Sequence, residues 1–465
     1  MGTKSKAALL MLLAALGIAA GGGTAHADGA PGGTDVQVAQ TLGARELTVI
    51  IRRVDTTPSP LRVDVVTHRG SPPGTLHLAV AADGVPSART DVVLGAEPGV
   101  YAGNLRVDKP GPWLLSLSDG TGPAATIPFL VPARVVPPWE RATYGGFVAA
   151  GAFLLLALLV GVRAKRTAYA LIPAGGVVAA LAVAVTGALL SASTPPPPAP
   201  GSQLDPTFDN VTDPYGAAPL STVDYSRPPV NLTVHSGRGE LALGLTDGAT
   251  GRPVDDLLVH DNALVHLVLV SPSGRLSHLH PVRVGPGGYR VRVADPEPGT
   301  YAVAAELARR GGGVQLVRST VDLTGTAAPA PEPPGAGPRT IDGTPVELSI
   351  TPGTPTTITA HFRTQDLQPW LGMLGHLIVA GPITGPVGES AAKAPTWAHV
   401  HAMIPPVAGQ LDRPDETVAA YGPDVAFTYT FAAPGRYRIW LQAERGYRVL
   451  TVPAVVDVPT TGAGR

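Results

Sequence analysis

Two long apolar stretches without any charged residue constrain most strongly how this chain can fold. They run from Tyr144 to Val162 and from about Ala168 to Ser191, and each has close to the ~20 residues that a membrane-spanning helix needs. The basic segment Arg163-Ala164-Lys165-Arg166 separates them. Because short basic loops stay in the cytoplasm, the sequence predicts a hairpin of two transmembrane helices, 144–162 and 168–191, with both flanking regions outside. A buried helical hairpin in a soluble domain is the alternative.

The N-terminus has the features of an export signal. Lys4 and Lys6 precede an apolar stretch that ends near Ala20, and Ala25-His26-Ala27 follows. A basic start, an apolar centre and small residues at a cleavage site are typical of a signal peptide. We therefore expect residues 1–27 to be a signal peptide. Together with the hairpin, it predicts a multi-pass protein of the cell membrane whose N- and C-terminal domains lie on the extracytoplasmic side.

Composition excludes several classes of function. The formal net charge is -1 and no long basic run occurs, so we expect no nucleic-acid partner. The chain contains no cysteine. Disulfides, thiolate metal sites and cysteine nucleophiles are therefore excluded. At 465 residues the chain is too long for one core and should divide into several domains.

Outside the apolar stretches, the chain consists of short alternating strands and proline-rich segments. Strand patterns broken by Pro and Gly fill residues 34–134, 230–325 and 340–459, and we expect each of these blocks to be one domain. Residues 193–229, which include Pro195 to Pro198, and residues 326–339 are predicted to be linkers.

A Pro-Gly turn followed by an aromatic residue recurs in all three blocks. The aromatics are Trp113, Tyr301 and Tyr437. Repetition of one turn and of the strand that follows it indicates copies of one module. About 100 residues with roughly seven short strands is the size of an immunoglobulin-like sandwich. The predicted fold is therefore mainly β, with three immunoglobulin-like or cupredoxin-like β-sandwich modules and a two-helix transmembrane hairpin.

Three histidines in a common pattern occur in the second block and again in the third. A lone histidine opens an apolar run, and a His-x-His pair follows later in the block. Alternate side chains of a strand share one face, so each pair offers two imidazoles on the same side. The third imidazole would complete a three-nitrogen metal site. The two sets are His266, His278 and His280, and His376, His399 and His401.

Comparison with the first block argues against a purely structural role for these histidines. His77 opens a similar run there, but no His-x-His pair follows. Alignment on the Pro-Gly-aromatic turn places Glu306 of the second block, Gln442 of the third and Ser118 of the first at equivalent positions. We predict Glu306 as a ligand or orienting group in the second block. Gln442 is a weaker substitute, and His260 is a further candidate.

The positions of the methionines suggest which metal the histidines bind. Outside the signal, the chain has only Met373 and Met403, both within three residues of a histidine of the third block. Met403 lies two residues after His401, so on one strand both side chains would lie on the same face, and Met403 is predicted as a soft ligand. Imidazoles and a thioether together favour copper, with zinc as the second choice. The alternative is that both methionines fill gaps in the core.

The segments around the histidines resemble YtkA-like domains of bacterial exported proteins. The resemblance rests on His266-Leu-Val-Leu-Val270 with His278-Leu-His280-Pro281, and on His376-Leu-Ile-Val379 with His399-Val-His401. It covers about residues 230–459 and implies a β-sandwich fold with a link to copper or other metals. The third block departs from the pattern because no proline follows His401.

These features predict a non-enzymatic, membrane-anchored, extracytoplasmic protein that holds or hands on copper. A second class is an envelope protein whose immunoglobulin-like modules bind another protein or polysaccharide and whose histidines are structural. A third is a metal-dependent enzyme, since three histidines with an open position also hold catalytic zinc. No nucleophile elbow, phosphate loop or paired acids support that class.

Overall fold

The computed structural model describes residues 35–131 except 53 and 55, 137–193 except 165, 227–404 except 238, and 415–460. It is mainly antiparallel β-structure with two long apolar helices, which confirms the predicted fold class at this level. The predicted signal peptide and most of the predicted linker 193–229 lie outside the described residues.

The first block forms two four-stranded antiparallel sheets. Their strand orders are β1-β2-β3-β6 and β5-β4-β7-β8, and inward-facing Val, Leu and Ile side chains between them are almost completely buried. The strands are β1 Val36–Leu42, β2 Arg45–Ile51, β3 Ser59–Thr67, β4 Gly74–Ala82, β5 Val85–Leu94, β6 Gly99–Val107, β7 Gly111–Ser118 and β8 Ala125–Val131.

The two apolar stretches form helices α1, Pro138–Arg163, and α2, Leu171–Ser193. α1 begins six residues before the predicted start because proline is favoured in the first turn of a helix. A side chain at Gly146 would lie 2.7 Å from the carbonyl oxygen of Ala180, so glycine permits the two helices to pack closely. Both are long and apolar enough to cross a membrane, and most of their described side chains are exposed, unlike those of a core helix.

The second block also contains two sheets. One has the order β14-β15-β10-β9, and the other has β11-β16-β12-β13 with β17 paired to β16. The strands are β9 Val230–Gly237, β10 Glu240–Asp247, β11 Leu257–Leu258, β12 His266–Val270, β13 Leu276–Leu279, β14 Val282–Gly285, β15 Gly288–Arg292, β16 Gly299–Arg309 and β17 Gly313–Leu323.

The third block also contains two sheets, and the sheet that carries its histidines repeats the strand order of the second block. Its sheets have the orders β18-β19-β20-β24 and β21-β25-β22-β23, with β26 paired to β25. The strands are β18 Gly337–Ile341, β19 Thr344–Thr351, β20 Thr356–His361, β21 Leu367–Gln368, β22 Gly375–Gly381, β23 Thr396–Ala402, β24 Asp424–Tyr429, β25 Gly435–Arg445 and β26 Arg448–Val458.

The β12 sheet and the β22 sheet pack against each other across the two blocks. On β12, Leu267 and Leu269 face the core of the second block, whereas Val268 and Val270 face the third. Both faces of these strands are therefore buried, which explains their continuous apolar runs. The shared cluster consists of Val268, Val270, Ala302, Ala304, Ile378, Ala380, Val387, Ala391 and Trp440.

A helix in the insertion before β23 closes one side of this contact. The sequence indicates only an insertion from Gly381 to Pro395, but helix α3, Val387–Lys393, forms there. Its Val387 N–H donates to the carbonyl oxygen of Pro272 at 3.1 Å, and Val387 and Ala391 are buried against the second block. The sequence did not indicate α3, because its buried apolar side chains pack against the second block and not against the core of its own block.

Replacing Trp440 tests this contact between the blocks. Its side chain is 1% exposed, and its indole N–H donates to the carbonyl oxygen of Gly274 at 3.0 Å. We expect Trp440→Ala to lower the free energy of unfolding by about 3–5 kcal/mol. Trp440→Phe keeps most of the packing but leaves one carbonyl unpaired, so its expected cost is about 1 kcal/mol. Denaturant unfolding of the full chain in detergent measures both; a Trp440→Ala change below about 0.5 kcal/mol would contradict the packing.

Candidate metal centre

The six histidines of the two predicted sets form one buried cluster between the second and third blocks. Within each set the ring centroids are 4.5–5.5 Å apart. Between the sets, the ring of His278 lies 5.1 Å from that of His399 and 5.7 Å from that of His376. The sequence predicts two separate sites, whereas the structure brings both to one place because the sheets that carry them pack face to face.

Strand register places the lone histidine of each block opposite the position aligned from sequence. His266 on β12 pairs with Glu306 on β16, and His376 on β22 pairs with Gln442 on β25. In the first block, His77 pairs with Ser118 in the same way, which confirms that alignment. His77 is exposed and contacts Asp91, so the first block forms this ladder without a histidine cluster.

The His-x-His pairs lie on edge strands. His278 is on β13, and His280 follows it directly, before Pro281 and β14. His399 and His401 are on β23, where His401 pairs with His376. Both strands form one edge of their sheet, and the backbone of His280 is also held by Thr41 on β1 of the first block.

A backbone carbonyl six residues upstream fixes the proton position of each lone histidine. Nε2 of His266 lies 3.0 Å from the carbonyl oxygen of His260, and Nε2 of His376 lies 3.2 Å from that of Trp370. Since a carbonyl only accepts hydrogen bonds, Nε2 carries the proton in both rings. Nδ1 of each ring is left with a free electron pair, as a metal ligand requires.

Matched tight turns present these two carbonyls. Asp261 and Asn262 have φ angles of 46° and 61°, and Leu371 and Gly372 have 55° and 76°. Two successive left-handed residues are typical of a type I′ turn, which Asp, Asn and Gly adopt readily and which is unfavourable for Leu. The same turn conformation at both sites places the carbonyl oxygen of His260 within reach of His266 and that of Trp370 within reach of His376.

Side chains from other blocks contact Nδ1 of the histidines in the His278 pair. Nδ1 of His278 lies 3.0 Å from Oε1 of Gln442, whose amide N–H donates to Thr451. Nδ1 of His280 lies 2.5 Å from Oε1 of Glu46, on β2 of the first block. Because both acceptors are oxygens, the ring protons lie on Nδ1, and Nε2 of each ring is free to bind a metal.

The second block supplies the equivalent partners for the His399 pair. Nδ1 of His399 lies 3.3 Å from a carboxylate oxygen of Glu306, and Nδ1 of His401 lies 3.5 Å from one of Asp261. Carboxylates that face the outer nitrogen of an imidazole orient it and make it a better ligand. Gln442 and Glu46 thus orient the His278 pair through close hydrogen bonds, whereas Glu306 and Asp261 lie farther from the His399 pair and act on it mainly through their charge.

The unprotonated nitrogens in each set converge. Nδ1 of His266 lies 3.3 Å from Nε2 of His278, and Nδ1 of His376 lies 3.0 Å from Nε2 of His399. Two nitrogens bound to a tetrahedral ion at about 2.0–2.1 Å would be about 3.3 Å apart, and at a right angle about 2.8 Å. In each set, the three candidate ligand atoms lie within 4.8 Å of one another. The spacing suits one ion per set.

Two of these nitrogens have no other partner. Nε2 of His280 and Nε2 of His401 are buried and make no hydrogen bond among the described residues. A buried polar atom without a partner costs roughly 1–3 kcal/mol. An ion bound in each set would give the free nitrogen of that set a partner.

Burial and mutual repulsion keep three rings of the cluster uncharged. Burial lowers the pKa of His266, His278 and His376 well below 6.5, and the neighbouring histidines lower it further. Burial opposes ionisation of Glu306, but hydrogen bonds with His260 and His399 hold the pKa of its carboxyl well below its usual range. Neutral imidazoles beside an ionised carboxylate are the protonation states that metal binding needs.

A second buried group links the first and third blocks. Nδ1 of His68 lies 2.6 Å from Oε1 of Glu444. Burial disfavours the charged ring, yet Glu444 raises the pKa of His68 to about 9. Burial, with Glu444 nearby, raises the pKa of Glu416 to about 7. Nε2 of His68 lies 3.1 Å from Oγ1 of Thr48 on β2, so this group holds β2, which carries Glu46, against the third block.

The predicted ligands Glu306 and Met403 lie elsewhere than the sequence suggests. Glu306 faces His399 and His260, so it serves the set of the third block and not its own. Met403 lies after the end of β23 and is 66% exposed, outside the buried cluster, because the strand ends at Ala402. No thioether ligand is therefore supported by its position.

Sequence reasoning missed Glu46, Asp261 and Trp370. Trp370 packs its indole against His376 at 4.9 Å and against His278 at 5.1 Å. It occupies the position six residues before His376 that His260 occupies before His266, so the repeat could have identified it. Nothing in the sequence connects Glu46 of the first block with His280.

Comparisons with known proteins add little about activity. A family model described as a domain of unknown function (DUF8832) matches residues 339–460, which include His376, His399 and His401. No curated protein matches.

One solved structure with similarity to the chain is a tetra-tandem repeat from the extending region of a large adhesion protein. The two are 10% identical, the match covers 91% of this chain and 74% of the other, and the TM-score is 0.16. Two fibronectin type III domains of chicken tenascin have 13% identity, cover 50% and 99%, and give a TM-score of 0.14. At such scores the likeness carries no argument.

The lowered histidine pKa values predict acid sensitivity of the metal-free protein. His266, His278 and His376 take up protons near pH 6.5 when unfolded but only at lower pH when folded. Their contribution to stability is complete above pH 6.5 and is lost as the pH falls. Glu416 acts oppositely between about pH 7 and 4.5, and His68 acts oppositely between about pH 9 and 6.5, but below pH 6.5 Glu416 alone of these two opposes the three histidines.

We therefore expect the unfolding midpoint in chelator to fall between about pH 7 and about pH 5.5, and His278→Gln to reduce that fall. His235→Gln, at an exposed position of β9, is the matched control. A midpoint that does not change over this range would show that the cluster is not held neutral.

Proposed function

We propose that this protein is a membrane-anchored, extracytoplasmic metal-binding protein that holds two divalent ions in its histidine cluster, with copper as the first choice and zinc as the second. The observation that carries the proposal is the convergence of two unprotonated imidazole nitrogens in each set, 3.3 Å and 3.0 Å apart, with a ligand atom of the third histidine within 4.8 Å. Hydrogen bonds from the outer nitrogens to a carbonyl, amide or carboxylate oxygen hold the rings of His266, His278, His280 and His376 in the orientation that metal ligands adopt. Carboxylates lie beside the outer nitrogens of His399 and His401.

A purely structural role explains this arrangement poorly. Structural histidines pair both ring nitrogens with donors or acceptors. Here the free electron pairs of His266 and His278 face each other, as do those of His376 and His399. Two facing electron pairs repel unless a proton or a cation lies between them. The lowered pKa of these rings disfavours an added proton, and a neutral tautomer with the proton on Nε2 of His278 or His399 would turn an unprotonated Nδ1 toward the oxygen of Gln442 or Glu306. A cation satisfies all of these atoms together.

The donor set favours a divalent ion over Cu(I). All six candidate ligand atoms are imidazole nitrogens, and Met403 lies outside the cluster. Imidazole suits Cu(II) and Zn(II), and copper leads the affinity order of divalent ions, whereas thioether and thiolate would select Cu(I). Copper is therefore favoured by its affinity for imidazole and not by a methionine ligand.

The remaining parts of the proposal follow from sequence. The hairpin would anchor the chain, and the three strand-rich blocks would be immunoglobulin-like modules outside the membrane. The likeness to YtkA-like domains agrees with a metal but names no partner. An envelope protein with structural histidines is the competing function, and metal titration of the full chain distinguishes it from a metal-binding protein.

Metal titration of the purified full chain tests the function. We expect two Cu(II) or Zn(II) per chain at saturation, because each set offers three nitrogens. His278→Ala with His280→Ala should leave one ion bound, and so should His399→Ala with His401→Ala. His361→Ala, an exposed histidine that contacts Asp424, should leave two.

Binding is measured by calorimetry and by metal analysis after gel filtration. No binding at micromolar metal, together with a loss of thermal stability in the His278→Ala, His280→Ala double variant without metal, would support the structural role and reject the proposal.

The membrane topology has its own test. The chain lacks cysteine, so single cysteines can be introduced and labelled in whole cells. We expect a membrane-impermeant maleimide to label Ser236→Cys in intact cells and Ala164→Cys only after permeabilisation, because the basic loop stays in the cytoplasm. Labelling of Ala164→Cys in intact cells would invert the topology.

A further inference from the structure

A third group of metal-ligating side chains lies beside the histidine cluster. Nε2 of His260 lies 3.2 Å from Oδ2 of Asp261 and 3.5 Å from Oε1 of Glu306. One ligand atom from each of the three residues lies within 4.8 Å of the other two. Nitrogen and oxygen atoms bound to one ion at about 2.0–2.2 Å are roughly 3–3.5 Å apart. The spacing therefore suits one further ion.

A tight turn directs the imidazole of His260 into this group. His260 and Ala263 exchange two backbone hydrogen bonds, of 2.9 and 3.0 Å, across the turn. The contact with His266 is made by the backbone carbonyl of His260 and not by its ring. The ring faces Asp261 of the same turn and Glu306 on β16. Removal of the imidazole thus leaves the carbonyl that supports His266 in place.

The third block shows that the fold does not require these three side chains. Its equivalent positions carry Trp370, Leu371 and Gln442, around a turn of the same left-handed conformation. An indole and a leucine side chain are not metal ligands, and a neutral amide is a weak one. The repeat therefore keeps the turn in both blocks but carries one imidazole and two carboxylates only in the second.

The third group also lies where the buried set of the third block comes nearest to solvent. Its three side chains are 14–22% exposed. Beside them, the side chain of His401 is 18% exposed, compared with 3% for His399. On the matching side of the cluster, Trp370 is 2% exposed and packs against His376. Among the described residues, the set of the third block therefore meets solvent at His401.

Both carboxylates of the third group also contact the buried set. Oδ2 of Asp261 lies 3.5 Å from Nδ1 of His401, and Oε2 of Glu306 lies 3.3 Å from Nδ1 of His399. The second contact is poorly aligned as a hydrogen bond, and Nδ1 of His399 is buried without a better partner among the described residues. An ion held by the two carboxylates would therefore lie next to the ligands of the buried set.

We infer that His260, Asp261 and Glu306 form a third metal site, which receives a divalent ion from solvent and passes it to the buried set of the third block. This inference rests on the proposed function and deepens it, since it names the route by which the cluster fills. Two carboxylates neutralise the charge of the ion, but partial exposure makes the site weaker than the two buried ones. A third ion should therefore bind only at higher metal concentration and be lost on gel filtration.

Manganese titration of the full chain loaded with two Zn(II) tests the site. Carboxylate oxygens suit Mn(II), which is lowest in the divalent affinity order and so does not displace zinc from imidazoles. Electron paramagnetic resonance of free Mn(II) should show one Mn(II) bound per chain. His260→Ala and Glu306→Gln should each weaken this binding by at least about tenfold. His361→Ala with Asp424→Asn, which removes an exposed His–Asp contact elsewhere, should leave it unchanged.

The rate of filling tests the passage of the ion. Trp370 packs against His376, so bound Cu(II) should quench its fluorescence, and stopped-flow mixing follows the filling of the buried set. We expect His260→Ala to slow filling by about tenfold, because the carboxylate-lined site no longer concentrates the ion. Release to a chelator should slow by the same factor, since an entry site acts in both directions. A merely structural role would instead speed release.

Each failure has its own meaning. Absence of Mn(II) binding to the two-zinc protein would overturn the third site, and unchanged filling and release in His260→Ala would overturn its role in entry. Both results leave the proposed function intact. If the alanine variant does not fold, His260→Phe keeps the ring volume without a ligand atom. A full chain that binds no zinc would reject the proposed function and the inference with it.

Discussion

The face-to-face packing of two sheets, one from the second block and one from the third, is the contact on which the histidine cluster depends. Each sheet already covers the core of its own block with one face. Its other face is apolar at one end, where Val268 and Ile378 meet, and carries the histidines at the other. Burial of the apolar end removes water from the contact. The polar end is buried with it and must find its partners inside the protein.

Those partners come from neighbouring blocks, and this makes the cluster a property of the assembled chain. Glu306 of the second block serves His399, and Gln442 of the third serves His278. The first block joins through Thr41, whose N–H donates to the carbonyl oxygen of His280 at 2.7 Å, and through Glu46. A single block would retain its three histidines but lose the groups that orient them.

The sequence carries enough information to predict the class of fold and the identity of the clustered histidines. Strand periodicity and the repeated Pro-Gly-aromatic turn are local signals, and parity alone places His278 with His280 on one face. Alignment of Ser118, Glu306 and Gln442 was also predictable, because the repeat preserves register. The apolar hairpin follows from length and composition.

What lies beyond the sequence is the relation between blocks. Nothing local indicates that two histidine sets meet, that α3 belongs to the surface of another block, or that Glu46 contacts His280. The alternation of side chains along a strand failed to place Met403, because β23 ends at Ala402 and the next side chain does not follow the alternation. Long-range packing decides all of these features, and a single sequence does not encode it as a visible pattern.

X-ray absorption at the metal edge tests the central claim most directly, because it identifies the atoms bound to the ion without reference to the fold. For the full chain loaded with two Cu(II) or Zn(II), the account predicts nitrogen or oxygen neighbours at about 2.0–2.1 Å, no sulfur at about 2.3 Å, and outer-shell scattering from about three imidazoles per ion. Sulfur scattering, or fewer than two imidazoles per ion, would contradict it.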